Sequence, residues 1–171
     1  MSKDNYVFFW RSASPFSNWY HSPFVATIYR PNGYESFTFD NTEQWMMYQK
    51  AKLFNDDVIA EKILSEPDPR KIKALGKEVM GFDSNVWDEN KERLVYDGLK
   101  LKFEQNKSCM DALMSTGDKK LVEASPYDQI WGIGLDEFDT RAHHENTWRG
   151  QNLLGKLLTK LRDEIKNSKH D

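Results

Sequence analysis

The sequence predicts a helix-rich α+β fold with a small antiparallel β-sheet near the N-terminus. Aromatic and β-branched residues alternate with turn residues over positions 1–40, a pattern typical of short strands. Beyond them, apolar residues recur mainly at helical spacing. With 171 residues, 39% of them hydrophobic, the chain is long enough to bury one core. We therefore expect a single domain over 1–171, with its core at about 6–165 and a solvated tail at 166–171.

The strands are predicted first along the chain, at 6–10, 24–29 and 34–39. The second and third flank the sequence RPNG, whose Pro-Asn-Gly run favours a hairpin turn. The helices are predicted at 43–54, 56–65, 70–79, 88–106, 109–115 and 151–166. The last is the clearest, because its apolar stripe keeps helical spacing: Leu154, Leu157, Leu158, Leu161 and Ile165. Loops with aromatic, Asp, Asn and Gly residues separate these elements, notably 81–87 and 125–139, and sites tend to lie in such loops.

Composition excludes several classes of protein. The net charge of −3 and pI of about 5.8 do not suit a broad nucleic-acid-binding surface. No stretch is apolar enough to span a bilayer, and the N-terminus lacks the apolar core of a signal peptide. Cys109 is the only cysteine, so an intramolecular disulfide is impossible. We expect a cytoplasmic protein that makes no contact with a membrane.

The predicted helix TEQWMMYQKAKLF places two charged residues in its apolar stripe. At about 100° per residue, Glu43 and Lys50 fall in the middle of the arc that contains Met46, Ala51 and Leu53. Seven residues separate the two Cα atoms by roughly 10 Å along the axis, which suits two groups flanking one small ligand. A buried charge needs a partner, and here a substrate could supply it.

Both residues also have structural explanations. Asp40 and Glu43 fit a capping box, in which the third helical residue reaches back to the helix N-terminus. Lys50 could extend its amine to solvent, although this is difficult from the centre of an apolar arc. As a functional pair, the carboxylate could act as a base or stabilise a cationic transition state. A desolvated lysine could attack a carbonyl carbon, such as that of a ring-opened sugar.

Other candidate residues lie in the polar loops. Trp87, Trp131 and Trp148 could pack in the core or stack on a base. Asp128 could cap a turn or serve as a second carboxylate. The sequence RGQN at 149–152 could start a helix or bind a phosphate. His143 and His144 are adjacent, so their side chains diverge, and we expect no metal site.

Together these segments resemble the NADAR family, which includes the riboflavin-intermediate N-glycosidases. The resemblance runs from about Phe8 to Arg162. The matching segments are FSNWYHSPF, TEQWMMYQKAKLF, LGKEVMGFDSNVW, LKLKFEQN, LMSTGDKKLVEASPYDQIWGIGL and WRGQNLLGKLLTKLR. In the segment LGK, Lys77 stands where the family has arginine.

The resemblance implies which residues do the chemistry and bind the substrate. The catalytic positions would be Glu43, Lys50 and Asp128. The substrate-binding positions would be Asn18, Trp87, Trp131 and Asn152. It implies hydrolysis of a base–ribose N-glycosidic bond without a cofactor or an obligate protein partner. The substrate would be a ribosylamino-pyrimidine phosphate of riboflavin synthesis or an ADP-ribosylated guanine, which includes ADP-ribosylated nucleic acid.

Two other classes of function stay open at the level of sequence. A non-catalytic module that binds ADP-ribose or NAD would bind tightly without turnover. A purely structural domain would satisfy the charged pair internally, and Lys50→Met would then be neutral or stabilising.

Overall fold

The computed structural model describes residues 5–169 and confirms a helix-rich α+β fold. The strands are β1 (Tyr6–Phe9), β2 (Phe24–Arg30), β3 (Gly33–Phe39) and β4 (Lys120–Glu123). The helices are α1 (Thr42–Leu53), α2 (Asp57–Leu64), α3 (Pro69–Lys77), α4 (Ser84–Gln105), α5 (Lys107–Ser115) and α6 (Leu153–Ser168). The chain divides into two compact units, one formed by His21–Lys107 and the other by the segments before and after it.

In the unit His21–Lys107, β2 and β3 form the predicted antiparallel hairpin. Their register pairs Phe24 with Phe39 and Arg30 with Gly33, so each strand is one residue longer than predicted. The inward-facing rings of Phe24 and Phe39 stack, and the indole of Trp45 on α1 packs edge-on against both. The hairpin thus supplies the aromatic surface on which α1 rests.

Helix α1 is capped by residues other than those predicted. Asn41 is the N-cap, and its Oδ1 accepts a hydrogen bond of 2.9 Å from the backbone N–H of Gln44. The Gln44 side chain reaches back to accept one of 2.8 Å from the N–H of Asp40. Of the two explanations of Glu43, the capping box with Asp40 is therefore not observed, because Asn41 and Gln44 make the bonds at this helix end.

Helix α4 begins earlier than the apolar pattern indicated. Its N-cap is Asp83, whose Oδ1 accepts from the N–H groups of Asn85 and Val86. The segment 84–87, expected to be loop, is therefore the first turn of the helix. Further along α4, Gly98 lies against the Trp45 indole, whose Nε1 donates to the Leu94 carbonyl at 2.8 Å.

In the other unit, β1 pairs in parallel with β4, which the sequence did not predict. The register runs from Tyr6 opposite Lys120 to Phe9 opposite Glu123. Helix α6 packs on β4 so closely that a Cβ on Gly155 would lie 2.2 Å from the Leu121 carbonyl oxygen. Residues 166–168, expected in a solvated tail, form the last turn of α6, whereas 170–171 lie outside the described residues.

Candidate functional site

Glu43 is buried near the N-terminus of α1. It is the second residue of the helix, and 5% of its surface is exposed. The N–H of Asp40 bonds to the Gln44 side chain instead, so Glu43 does not form a capping box with Asp40. An acidic group in the first turn is also favoured by the helix dipole. The fold therefore keeps a carboxylate away from solvent at the helix end.

Lys50 lies two turns further along the same helix and is half-buried. Its Nζ is 4.5 Å from the centroid of the Phe82 ring. Burial lowers the pKa of the Lys50 ammonium, the Glu43 carboxylate opposes this, and the positive charge of Lys77 adds to it. Lys50 is therefore less exposed than a surface lysine and easier to deprotonate.

Trp87 belongs to the same unit and lies on the first turn of α4, where it is half-buried. Its backbone N–H donates to the Asp83 carbonyl at 3.0 Å, which continues the helix from its cap. Glu43, Lys50 and Trp87 are thus carried by two helices, α1 and α4, that pack on each other in the unit His21–Lys107.

The four other predicted residues lie in the second unit. Asp128 is half-buried, and its Oδ1 accepts from the N–H groups of Ile130 at 2.9 Å and Trp131 at 2.8 Å. This carboxylate shapes the turn that carries Trp131, itself half-buried. Neither of these two bonds uses the second carboxylate oxygen of Asp128, so the residue can shape the turn and also take part in a reaction.

The side chain of Asn152 forms hydrogen bonds that hold the fold together. Its Oδ1 accepts from the Glu123 N–H at 2.9 Å and its Nδ2 donates to the Leu121 carbonyl at 3.1 Å. It is 3% exposed and adopts a left-handed backbone conformation with φ of 54°. The substrate-binding role of Asn152 stays a prediction, and the structure adds to it a clear structural role in joining α6 to β4.

The backbone N–H groups at the start of α6 bond to carbonyl groups of the chain, so they are not available to a phosphate. The N–H groups of Asn152, Leu153 and Leu154 donate to the carbonyls of Gly132, Ile130 and Trp131 at 3.0–3.1 Å. A Cβ on Gly150 would lie 2.3 Å from the Gly132 carbonyl oxygen. The glycines of GIG and RGQN therefore serve close backbone packing, and of the two alternatives for RGQN the structure favours a simple helix start.

Asn18 is buried in the same unit, with 7% of its surface exposed. Its Oδ1 has no hydrogen-bond partner within residues 5–169. A buried amide oxygen without a partner is uncommon in proteins and calls for an explanation such as a ligand or an ordered water. This observation is compatible with the predicted binding role of Asn18.

A family model described as the NADAR domain matches residues 8–166. The chain belongs to the NADAR family. N-glycosidase R617 of Acanthamoeba polyphaga mimivirus is 42% identical over 96% of this chain and 98% of its own length. Protein irg-1 of Caenorhabditis elegans is 40% identical over 94% of this chain and 79% of its own.

The same relationship holds at the level of structure. The NMR structure of Escherichia coli YbiA has a TM-score of 0.75 at 25% identity, covering 100% of this chain and 90% of that one. Riboflavin biosynthesis proteins are also among the relatives of this NADAR chain. The predicted enzyme class, an N-glycosyl hydrolase, is supported by the relatives named N-glycosidases.

Two cavities of the NADAR chain lie away from the predicted residues. One of about 360 Å³ is lined by the hairpin turn and by Lys52, Asp57 and Glu61, where Arg30 makes ion pairs with Glu35 and Glu61. The other, of about 280 Å³, is lined by Tyr6, Lys120, His144, Glu145 and Asn146. None of the seven predicted residues lines either cavity.

Within residues 5–169, no group of three or more His, Cys, Asp or Glu could hold a metal ion. His143 packs its ring edge-on against Phe8, with the ring centroids 5.2 Å apart. In the same residues, no helix is both long and apolar enough to cross a membrane.

Proposed function

We propose that this protein hydrolyses the N-glycosidic bond between a base and ribose in a ribosylated or ADP-ribosylated compound. The observation that carries the proposal is the placement of two groups on α1. Glu43 is a buried carboxylate, and two turns away Lys50 is a half-buried amine whose pKa is lowered by burial. A structural ion pair would not need the amine to be easily deprotonated, whereas a nucleophile does.

Glu43 is proposed to act at the sugar carbon. Cleavage of an N-glycoside passes through a transition state in which C1′ becomes positively charged. A carboxylate shielded from water interacts more strongly with that charge than an exposed one does. The same carboxylate can accept a proton from an attacking water, so Glu43 serves either as electrostatic stabiliser or as general base.

Lys50 is proposed to contact the sugar or to trap it covalently. In the covalent route, the neutral amine bonds to C1′ of the ring-opened sugar. The base nitrogen then leaves with a proton, and a lysine imine forms. Water adds to this imine and the sugar departs as an aldehyde, which returns the amine of Lys50. The net reaction consumes one water and yields free base and sugar.

The remaining predicted residues keep the roles that the family resemblance implies. Asp128 assists proton transfer to or from the leaving base, and Trp87 stacks on the base or sugar. Asn18, Trp131 and Asn152 are proposed to bind substrate. The unpartnered Oδ1 of buried Asn18 supports this, because a substrate hydroxyl or amine could donate to it.

Two substrate classes are proposed, and in both a base nitrogen is bonded to ribose. One comprises the reactive ribosylamino-pyrimidine phosphates of early riboflavin synthesis, in line with relatives that are riboflavin biosynthesis proteins. The other comprises ADP-ribosyl-guanine, free or within nucleic acid. The reaction in each is cleavage of a bond from base nitrogen to C1′, so the proposed chemistry of Glu43 and Lys50 is shared.

Mass spectrometry of reaction products tests the proposal. Wild-type protein and Glu43→Gln are incubated with ribosylamino-pyrimidine phosphates, ADP-ribosyl-guanosine, NAD and ADP-ribose. We expect free base from the wild type and none from Glu43→Gln. The same substitution at exposed Glu89 on α4 is the control and should retain turnover. Intact substrates together with tight binding by folded wild-type protein would contradict hydrolysis and favour a binding module.

Borohydride reduction tests the covalent route separately. It converts a lysine imine into a stable amine, which adds the mass of the reduced sugar to the peptide that contains Lys50. We expect this adduct in wild-type protein during turnover and not in Lys50→Met. Turnover without an adduct would leave Lys50 as a contact residue, and full turnover by Lys50→Met would remove it from the reaction.

A further inference from the structure

Phe82 lies in the short connection between α3 and α4 and reaches back to α1. It follows Gly81, whose φ of +75° allows a sharp turn of the chain. Its ring centroid is 4.5 Å from the Nζ of Lys50 and 5.3 Å from the ring centroid of Phe54. The Phe54 ring thus supports Phe82 from the side, and the Lys50 amine lies over its face.

In this contact the ring of Phe82 stays partly in solvent. Phe82 is 44% exposed, although its neighbour Phe54 is half-buried. A lysine side chain has four rotatable bonds and loses considerable freedom when it is held in one place. An ammonium over an aromatic face is attracted by the negative charge density of that face. The ring can therefore fix the amine while leaving one side open.

The ring also affects the ionisation of the amine in two opposite directions. Its quadrupole favours the ammonium, whereas its bulk displaces water and favours the neutral amine. The charged groups that act on Lys50 are Glu43, which raises the pKa, and Lys77, which lowers it. The largest influence is burial, which lowers the pKa of Lys50. Burial therefore outweighs the opposing charge of Glu43 in setting the direction of the pKa shift of Lys50.

We propose that Phe82 is a positioning residue for Lys50, whose ring holds the amine in place and keeps water from it. This rests on the proposed function, in which Lys50 acts on the sugar. An amine that is held in place and more easily deprotonated is a better nucleophile toward C1′. The open side of the ring leaves the amine accessible to a substrate.

The test measures how readily Lys50 reacts, without any substrate. Wild-type protein and Phe82→Ala are treated with acetic anhydride over a range of pH, and acetylation of Lys50 is followed by peptide mass spectrometry. Without the ring, water reaches the amine, so the midpoint of the pH profile should rise toward that of exposed lysines. One unit of pKa corresponds to a tenfold change in neutral amine, and we expect a loss of several-fold to tenfold in reactivity at pH 8. Phe82→Tyr keeps the ring and should restore the wild-type profile.

Two further variants serve as a control and as a substitute for Phe82→Ala. Phe138→Ala removes an aromatic ring that is 86% exposed and should leave Lys50 unchanged. If Phe82→Ala does not fold, Phe82→Gln keeps the length of the side chain but replaces the ring with a hydrated amide, and the same loss is expected. Unchanged reactivity of Lys50 in the folded ringless variant would overturn the proposal. Because acetylation needs no turnover, an inactive wild-type protein would contradict the proposed function alone.

Discussion

Asn152 offers the sharpest test of what holds α6 against β4. Replacing it with alanine removes an acceptor for the Glu123 N–H and a donor for the Leu121 carbonyl, at 2.9 Å and 3.1 Å. A buried backbone group left without a partner costs about 1–3 kcal/mol. The two together should cost about 3 kcal/mol, since the Glu123 N–H is only partly buried.

The backbone adds a second contribution that a matched variant isolates. Asn152 has a φ of 54°, where alanine is strained and glycine is not. Asn152→Gly loses the same two hydrogen bonds without this strain, so it should be more stable than Asn152→Ala by about 1 kcal/mol. In a protein of this size, 1 kcal/mol shifts the melting temperature by about 2–4 °C. We therefore expect a decrease of about 6–12 °C for Asn152→Gly and a larger one for Asn152→Ala.

Thermal unfolding followed by circular dichroism measures both variants, and turnover of the folded fraction is measured at a temperature well below the transition. A fall in stability with little change in KM would assign Asn152 to the fold. Nearly wild-type melting temperatures for both variants, together with a raised KM, would refute this reasoning. They would show that Asn152 acts mainly in substrate binding.

Substitutions at three other sites test a half-buried charge, a close packing contact and an ion pair. Lys50→Met should lose activity. Its free energy of unfolding in urea should lie within about 1 kcal/mol of the wild-type value or slightly above it. The reason is that the pKa of Lys50 is lowered, so its charged form destabilises the fold at neutral pH. Gly98→Ala should lower the urea midpoint, since the new Cβ would lie 2.3 Å from Cδ1 of Trp45, whose indole is packed and hydrogen-bonded; an unchanged midpoint would show that the indole can move. The Arg141 guanidinium holds the pKa of Asp139 at about 2, so this carboxylate stabilises the fold above its usual pKa, and that contribution is lost as the pH falls from about 4 to 2. In Arg141→Met, NMR titration should find the pKa of Asp139 nearer to 4.

The elements of the fold could be predicted where residues close together in the sequence indicate them. The hairpin was predictable because its strands adjoin a Pro-Asn-Gly turn, and α6 because its leucines keep one helical face. Pairing of β1 with β4 was not, because parallel strands far apart in sequence leave no turn between them to indicate it. The first turn of α4 was missed although Asp83 before Ser-Asn-Val is an N-cap signal.

Part of the candidate site could also be predicted from the sequence, and part could not. Burial of Glu43 was predicted from the helical wheel and is confirmed at 5% exposure. Lys50 is half-buried rather than central to a buried stripe, because α1 buries its first two turns on nearly all sides and less of its last turn. Phe82 was missed as an individual residue, since nothing in sequence spacing brings the connection after α3 to the amine of Lys50.

The sequence by itself determined the family, the fold class and the pair of charged residues on one helix, because each depends on residue type and short-range spacing. Only the tertiary structure decided which groups these residues meet. It showed that Asn41 and Gln44 cap α1 and that the side chain of Asn152 forms hydrogen bonds with β4. It also placed an aromatic ring over Lys50. Hydrogen bonds and desolvation depend on distances between segments remote in sequence, and packing alone sets those distances.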